Sequence, residues 1–360
     1  MSEGFSVRSS RGDYSVEYVD WRAALNSIAG PFDFYLLDAN VAKFYPEMIG
    51  ILDEKRMIII SVSEDSKTYT KIGTTIEELI ALGASRSSRL VAIGGGVIQD
   101  IVSFSASIMF RGIEWVFFPT NLASQCDSCI GSKTSVNLGN KKNQLGGFYP
   151  PSSIFIDPAF TSSLTKNDIR AGIGEMYHYF LVDKISSFKS LGEETRTAVT
   201  DQVALSKLVK RSLDIKRGMI EIDEFDKGPR LVFNYGHTFG HALESVTDFS
   251  VPHGIAVAYG IDLANLISVK LGFIDITLRN SIRQMIEHVW EDMPLDKFRI
   301  QAYFDALVRD KKSVNGRVHA ILTRGVGDMF LSPVDMTDDM KFLISSFFED
   351  HLYQGELCEI

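Results

Sequence analysis

The chain has 360 residues, of which 45% are hydrophobic and 23% are charged, with 28 glycines and 10 prolines spread along its length. This composition is typical of globular proteins, excludes a disordered or fibrous chain, and is long enough for about two domains. Lys and Arg total 37 against 46 Asp and Glu, which gives a net charge of −9. Because no block of five basic residues occurs, the charge pattern argues against nucleic acid as a partner.

The sequence also argues against a membrane or secreted protein. No segment approaches the roughly 20 uninterrupted apolar residues of a membrane span, and the first residues lack the apolar core of a signal peptide. The three cysteines, Cys126, Cys129 and Cys358, are an odd number, which argues against a disulfide framework. We expect a cytoplasmic protein in which Cys126 and Cys129 are small buried thiols rather than half of a zinc or redox site.

Short apolar runs that end at polar or glycine turns predict buried parallel strands in the first half of the chain. The predicted strands are 34–37, 57–60, 90–93 and 115–118, with a helix over 74–82 between them. From about Thr165 the apolar periods become helical, over 168–182, 199–221, 238–246, 253–271 and 277–290, and only 318–322 resembles a strand. The pattern predicts an α/β domain over 1–166 and a mostly α-helical domain over 167–360.

A glycine turn, Gly94-Gly95-Gly96, follows one predicted strand and opens a helix. Such a turn lets the backbone approach a pyrophosphate, and the helix behind it presents free amides to the phosphate oxygens. The turn departs from the G-x-G-x-x-G pattern, so a plain strand-to-helix turn is the alternative.

Three histidines predict a metal site in the second half. His237 and His241 lie one helical turn apart on the same face, and His253 follows after an interval long enough for a loop and return. A carboxylate from another helix would complete a divalent site, and the candidates are Glu175, Glu244 and Asp127.

A polar stretch from Asp127 to Asn143 contains glycine, lysine and asparagine, and we interpret it as a loop beside the glycine turn. Lysine and asparagine donors suit the binding of a phosphorylated, polyhydroxylated small molecule. The alternative interpretation is a solvated loop with no ligand. Further isolated cations that could serve a site are Arg111, Lys216, Arg230, Lys311 and Lys312.

These segments together resemble the 3-dehydroquinate synthase family, the sugar-phosphate cyclases. The resemblance rests on ordered motifs between about Asp38 and Lys312: Gly-Gly-Gly-Val-x-x-Asp, Phe-Arg-Gly, Pro-Thr, Asp-Ser-x-x-Gly-x-Lys-Thr, Lys-Asn, Arg-Ala-Gly-x-x-Glu, Arg-x-x-x-Asn-x-Gly-His-Thr-x-Gly-His-Ala-x-Glu, His-Gly and Asp-Lys-Lys. It implies an NAD-binding N-terminal domain, a helical C-terminal domain, an active site in the cleft between them, and a homodimer.

The resemblance also implies roles for individual residues. It selects the metal ligands, for Zn²⁺ or Co²⁺, as Glu175, His237 and His253. It implies that NAD is bound by Asp38, Asn40, Glu64, Lys67, Gly95, Gly96, Val97, Asp100, Thr120, Asn121, Lys142 and Phe160. Catalytic or substrate contacts are implied for Asp127, Lys133, Asn143, His178, Lys216, Arg230, Asn234, His241 and one or both of Lys311 and Lys312, with Arg111 lent across the dimer interface.

The implied reaction is a cyclisation with loss of phosphate. In the family, NAD⁺ oxidises a ring hydroxyl, phosphate leaves by β-elimination, the hydride returns, and the opened ring recloses, so there is no net redox change. Lys133 and Arg230 resemble the clamp that holds the carboxylate of a seven-carbon keto acid phosphate. Alternatives are a specialised cyclase that makes another cyclitol, a metal-dependent polyol or glycerol-phosphate dehydrogenase of related architecture, and a catalytically inactive relative.

Two positions depart from the family pattern. His178 replaces the lysine of Glu-x-x-Lys, and Ile255 replaces an acidic residue after His253-Gly254. Gln99 and Asn121 are unusual within otherwise matching motifs. We interpret His178 as a substrate contact in preference to a further metal ligand or a structural residue.

Overall fold

A computed structural model describes residues 4–139, 141–183, 187–291, 293, 295, 298–309 and 317–351. The backbone divides into two compact units, the first comprising Met1–Leu164 with Lys216–Phe225 and the second Thr165–Ile215 with Asp226–Ile360. No helix in the described ranges is long and apolar enough to cross a bilayer. The predicted boundary near residue 166 remains a prediction.

The first unit is built on a seven-stranded sheet with the strand order β1-β2-β9-β6-β5-β3-β4. Only the β1–β2 pair is antiparallel, and the other pairs are parallel. The sheet strands are β1 (Phe5–Val7), β2 (Tyr14–Tyr18), β3 (Asp33–Asp38), β4 (Met57–Ile60), β5 (Arg89–Gly94), β6 (Glu114–Pro119) and β9 (Ser153–Ile156). The central strands β5 and β6 are buried almost throughout, which explains their continuous apolar sequence.

The helices of the first unit connect these parallel strands. They are α1 (Trp21–Ile28), α2 (Ala39–Phe44), α3 (Tyr69–Ala81) and α4 (Gly96–Ile108). A core on one face of the sheet includes Trp21, Leu37, Ile93, Phe118 and Phe160. Short 3₁₀ turns at Glu64–Lys67 and Pro158–Ser163 and one π-helical turn at Ser124–Ser128 lie between the regular elements.

The polar stretch that we interpreted as a loop is in fact an antiparallel hairpin, and that interpretation was wrong. Its strands are β7 (Lys133–Leu138) and β8 (Lys141–Phe148), with a bulge between Val136 and Leu138. Thr134 and Val136 point inward while Lys133 is exposed, so the alternation of a half-buried strand was present in the sequence.

The second unit is mostly helical. Its helices are α5 (Lys166–Val182), α6 (Phe188–Ala198), α7 (Gln202–Ile220), α8 (His237–Val246), α9 (His253–Lys270), α10 (Ile276–Ile286), α11 (Ile300–Arg309) and α12 (Asp338–Glu349). The end of α7, from Lys216, groups with the first unit. An antiparallel pair, β10 (Arg317–Thr323) and β11 (Met329–Asp335), packs on α9.

The observed architecture confirms the predicted fold class. All four predicted strands and the helices over 168–182, 238–246 and 253–271 are present within a few residues. The helix predicted over 199–221 begins only at Gln202, and the helix predicted over 277–290 ends at Ile286 and continues as a 3₁₀ turn. The sequence analysis did not predict β1, β2, β9, β11, α1, α2, α6, α11 or α12.

Candidate active site

The carboxyl ends of three neighbouring parallel strands bring predicted cofactor residues together in the first unit. Asp38 ends β3, Gly94 ends β5, and Thr120 follows β6, with its amide donating to the Gly94 carbonyl at 3.0 Å. Ligands bind characteristically at this edge of an open α/β sheet. Burial raises the pKa of Asp38, and a hydrogen bond from the Asn40 amide offsets part of that rise.

The glycine turn between β5 and α4 is tightly packed. Gly95 is the N-cap of α4, and a Cβ atom at this position would overlap the Asn121 side chain. Asn121 in turn accepts hydrogen bonds from the Ser124 amide and hydroxyl, at 2.8 and 2.7 Å. Gly96 and Val97 form the first turn of α4, whose free amides suit a phosphate.

Lys67 is the centre of a polar network at the side of α4. Its Nζ donates to Asp100 Oδ2 at 2.9 Å and to Asn143 Oδ1 at 3.1 Å, and it lies 3.4 Å from Glu64 Oε1. Burial lowers the pKa of Lys67, but the Asp100 and Glu64 carboxylates outweigh burial and leave the pKa raised. Burial also dominates at Asp100 and raises its pKa to about 6, despite the opposing effect of Lys67.

Asn137 joins this network and was missed as a site residue by the sequence analysis. Its Nδ2 donates to Glu64 Oε1 at 2.9 Å, and its Oδ1 accepts from the Asn143 amide at 2.9 Å. Asn143 has φ 54°, in the left-handed region that asparagine tolerates. Its position in the polar stretch was the available signal, but only the folded hairpin, with its bulge at Asn137 and a bridge to Thr68, brings Asn137 to Glu64 and Asn143.

Asp127 is held in the π-helical turn by Lys216, although 89 positions separate them. The Lys216 Nζ donates to both the carbonyl and Oδ1 of Asp127, each at 2.7 Å. The turn is also clamped by Gln99, which exchanges two hydrogen bonds with Ser128 at 2.6 and 2.7 Å. This pairing gives the unusual Gln99 a structural role. Cys126 and Cys129 in the same segment are buried thiols, as predicted.

The remaining predicted residues of the first unit are more dispersed. Asn40, Arg111, Lys133 and Lys142 are exposed. Phe160 is fully buried and packs on Trp21 and Tyr45, so a cofactor contact at this position would have to use its backbone. Arg111 has φ 72° and follows Phe110 with φ 52°, two consecutive left-handed residues that constrain its loop.

In the second unit, glycines allow three helices to approach closely enough to bring the predicted metal ligands together. A Cβ on Gly254 of α9 would overlap the Ala171 carbonyl of α5, and a Cβ on Gly240 of α8 would lie 2.9 Å from the Ala256 backbone. Only glycine fits at such contacts. The close packing therefore sets the separation of Glu175 on α5, His237 on α8 and His253 on α9.

Glu175, His237 and His253 each offer one ligand atom within 4.8 Å of the others. Glu175 Oε1 lies 3.4 Å from His237 Nε2, and Glu175 Oε2 lies 3.3 Å from His253 Nε2. Burial by itself would raise the pKa of Glu175, but the facing His253 and His237 hold it well below its usual range. Two imidazoles and one carboxylate with converging atoms are the donor set of a catalytic divalent metal site.

His178 lies directly behind these residues. Its side chain is 2% exposed, its Nδ1 lies 3.8 Å from Glu175 Oε1, and its ring packs against Tyr179 and Phe233. Its ring also meets the His237 ring edge-on at 5.0 Å. The family lysine is thus replaced by a short aromatic side chain that is enclosed by the metal site and apolar rings. Ile255 is likewise buried, at 1% exposure.

Three further predicted substrate residues belong to the second unit. His241 is exposed and its ring lies 5.5 Å from both His237 and His253. Arg230 is buried at 6% exposure in the 3₁₀ turn Pro229–Asn234, and Asn234 donates to the Leu231 carbonyl of the same turn. Lys311 and Lys312 lie outside the described residues.

Comparison with known proteins agrees with this fold and site. Residues 57–171 match the 3-dehydroquinate synthase N-terminal model, and residues 172–313 match the 3-dehydroquinate synthase C-terminal model. A 3-dehydroquinate synthase of Alkaliphilus metalliredigens is 33% identical over 86% of this chain and 89% of its own. That of Campylobacter concisus is 36% identical over 86% and 90%.

Among solved structures, 2-deoxy-scyllo-inosose synthase complexed with carbaglucose-6-phosphate, NAD⁺ and Co²⁺ is similar with a TM-score of 0.84. The two sequences are 25% identical, and the match covers 97% of this chain and 100% of the other.

The fold and the metal-ligand geometry define an enzyme of the sugar-phosphate cyclase type. More specifically, the chain belongs to the 3-dehydroquinate synthase family. The family resemblance, the fold class and the enzyme class predicted from the motifs are confirmed. The roles of individual site residues remain predictions.

Proposed function

We propose that this protein converts a phosphorylated seven-carbon keto acid sugar to a carbocycle with loss of phosphate, using NAD and one divalent metal ion. The observation that carries the proposal is the convergence of Glu175, His237 and His253 within 4.8 Å. The relatives named 3-dehydroquinate synthase support the substrate class.

The donor set fits a divalent ion. Glu175 Oε2 is buried and accepts no hydrogen bond from the described residues, while the His237 and His253 Nε2 atoms face the same carboxylate. Such an arrangement of one carboxylate and two imidazoles suits Zn²⁺ or Co²⁺. When bound, NAD⁺ would accept and return a hydride, and the ion would stabilise developing negative charge on substrate oxygen.

In the first unit, we assign NAD to the carboxyl edge of β3, β5 and β6. The α4 amides at Gly96 and Val97 would hold its pyrophosphate, and Asp38, Glu64, Lys67, Asp100, Thr120 and Asn121 would border it. The Lys67–Asp100 pair orders this border before a ligand arrives, because both side chains are already held in one geometry.

The remaining assigned residues would bind and orient the substrate. Arg230 is buried, which strengthens its attraction to a carboxylate, and its planar guanidinium can hold that group with two parallel bonds. His241, exposed beside the metal ligands, would hold a proton near the departing phosphate. Lys133, Asn143, Asn234 and Lys216 with Asp127 would supply further polar contacts.

A second candidate is a cyclase that acts on a different phosphorylated sugar. The observation in its favour is His178, which is enclosed by Tyr179, Phe233 and Glu175 and so offers a substrate less reach and less charge than the family lysine. The similar solved structure named 2-deoxy-scyllo-inosose synthase also supports this candidate.

Phosphate release from a panel of phosphorylated sugars and keto acids tests both candidates. We expect phosphate release with the seven-carbon keto acid phosphate, dependent on added Zn²⁺ or Co²⁺, with no accumulation of NADH. Turnover of only a sugar phosphate that lacks a carboxylate would favour the second candidate. Steady NADH production from polyols would contradict both and indicate a dehydrogenase.

We also propose a cytoplasmic homodimer in which Arg111 serves the neighbouring subunit. Support comes from the exposed, left-handed Phe110–Arg111 turn and from the buried thiols of Cys126 and Cys129, which form no disulfide and so suit a reducing compartment. Light scattering should give a dimer mass, and mixing Arg111→Ala with an inactive metal-ligand variant should restore part of the activity through mixed dimers. A monomer that is fully active would contradict this proposal.

A further inference from the structure

We propose that Glu244 is a positioning residue that holds His253 in the tautomer and orientation needed to bind the metal ion. The inference rests on the metal site of the proposed function and assigns a role to a carboxylate outside the ligand set. Glu244 lies on α8, and His253 is the first residue of α9.

The His253 ring bridges two carboxylates through its two nitrogens. Its Nε2 lies 3.3 Å from Glu175 Oε2, and its Nδ1 lies 3.1 Å from Glu244 Oε2. A histidine that binds a metal through Nε2 carries its proton on Nδ1, and the acceptor of that proton fixes the tautomer. Glu244 occupies the acceptor position.

The second histidine ligand has an equivalent arrangement. His237 Nε2 faces Glu175 at 3.4 Å, and its Nδ1 lies 3.4 Å from the Tyr235 carbonyl. Both imidazoles therefore have Nε2 toward Glu175 and an oxygen acceptor behind Nδ1. The acceptor of His237 belongs to the backbone, whereas that of His253 is a side chain that can be replaced.

The exposure of the two side chains explains why His253 needs this support. The His253 side chain is 43% exposed and that of Glu244 is 12% exposed. Because packing restrains a half-exposed ring only weakly, hydrogen bonding to a partly buried carboxylate on the adjoining helix would help to select its orientation. The negative charge also increases the basicity of Nε2 as a ligand.

The competing assignment makes Glu244 a direct ligand. Glu244, His241 and His253 also have candidate ligand atoms within 4.8 Å of one another. In that case His253 would give Nδ1 to a second ion, which is incompatible with an Nδ1 proton donated to Glu244. The two assignments therefore predict different numbers of bound ions.

The test compares wild type, Glu244→Gln and Glu244→Ala, with Ser245→Ala as the control on the exposed neighbouring position of α8. Zn²⁺ affinity is measured by chelator competition, and folding of the metal-free proteins by circular dichroism. We expect one ion per wild-type chain, about 10-fold weaker binding in Glu244→Gln, which keeps an acceptor oxygen, and about 100-fold weaker binding in Glu244→Ala.

Proton NMR of the Zn²⁺-loaded proteins supplies a readout that a purely structural role would not change. The Nδ1 proton of His253 should be protected from exchange in wild type and Ser245→Ala, and lost to exchange in Glu244→Ala. Equal Zn²⁺ affinity in all four proteins would overturn the inference. The inference would also fail if the wild-type chain bound two ions and Glu244→Ala bound one, because Glu244 would then be a direct ligand. A wild-type chain that binds no Zn²⁺ or Co²⁺ would instead refute the proposed function, and the inference with it.

Discussion

The ammonium group of Lys216 donates hydrogen bonds to both the backbone carbonyl and the carboxylate of Asp127, each at 2.7 Å. The pair joins the segment Lys216–Phe225 to the π-helical turn at Ser124–Ser128 within the first unit. The Lys216 side chain is only 7% exposed. Because the pair is largely shielded from water, its two partners depend on each other for charge compensation.

Replacement of this lysine should therefore destabilise the first unit. We expect Lys216→Met to lower the free energy of unfolding by about 3 kcal/mol, because it removes the ammonium from a partly buried carboxylate. Urea unfolding of the single variants and of Lys216→Met with Asp127→Leu measures the coupling. The double variant should recover part of the loss, and strictly additive effects would contradict the coupling.

The close contact of α9 with α5 should make Gly254 intolerant of any side chain. In Gly254→Ala the new Cβ would overlap the Ala171 carbonyl, so the helices must separate and move His253 away from Glu175. We expect a loss of about 3 kcal/mol in the free energy of unfolding together with weaker Zn²⁺ binding. Gly73→Ala on α3, where a Cβ meets no atom within 4 Å, is the matched control and should be neutral or slightly stabilising. Similar behaviour of the two variants would contradict the packing argument.

The metal ligands should be separable from the fold. We expect His237→Ala and Glu175→Ala to abolish Zn²⁺ binding and phosphate release while circular dichroism still shows the native helix content. His319→Ala, outside the metal cluster, should retain both properties. A collapsed fold in the ligand variants would mean that these side chains serve chiefly to stabilise the second unit.

Asp100 should give the protein a measurable pH dependence. Its pKa is raised from 3.8 to about 6 because it is buried, so between these values the native state binds a proton that the unfolded chain has lost. Lys67 stays protonated over this range, since its pKa is raised. The free energy of unfolding should therefore fall as pH rises from about 4 to 6, by up to about 3 kcal/mol from this group.

Urea unfolding at several pH values, for wild type and Asp100→Asn, checks this dependence. The difference between the two proteins should change steeply between pH 4 and 6 and level off above that range. The exposed Glu193→Gln serves as the control for a lost surface carboxylate. Parallel curves for wild type and Asp100→Asn would show that Asp100 titrates at its ordinary pKa.

Arg230 should act on the substrate and not on the cofactor. We expect Arg230→Ala to reduce kcat/KM for the keto acid phosphate at least 100-fold, because the substrate carboxylate loses a charged, bidentate partner. NAD affinity, measured by fluorescence titration, should change less than 3-fold. Comparable losses of both would contradict the carboxylate assignment, and Arg230→Lys should restore only part of the activity because lysine lacks the planar fork.

The sequence by itself determined the fold class and the family. Continuous apolar runs predict buried parallel strands whatever their order, and helical periods predict a helical second half, because both patterns report local burial. His237 and His241 could be placed on one helix face from their spacing alone. The residue types around them were enough to indicate a divalent metal site.

Only the tertiary structure decided which residues meet. By spacing alone Glu175 and Glu244 were equal candidates, and in the sequence only the family resemblance favoured Glu175. In the structure, the packing of glycines on α5, α8 and α9 puts Glu175 before the Nε2 atoms of both histidines and Glu244 behind His253. The same holds for Lys216 with Asp127 and for Asn137 with Glu64, which are distant in sequence. The physical reason is that a local pattern specifies how a segment folds, whereas its partners depend on backbone approach distances and strand register that arise only when the whole chain packs.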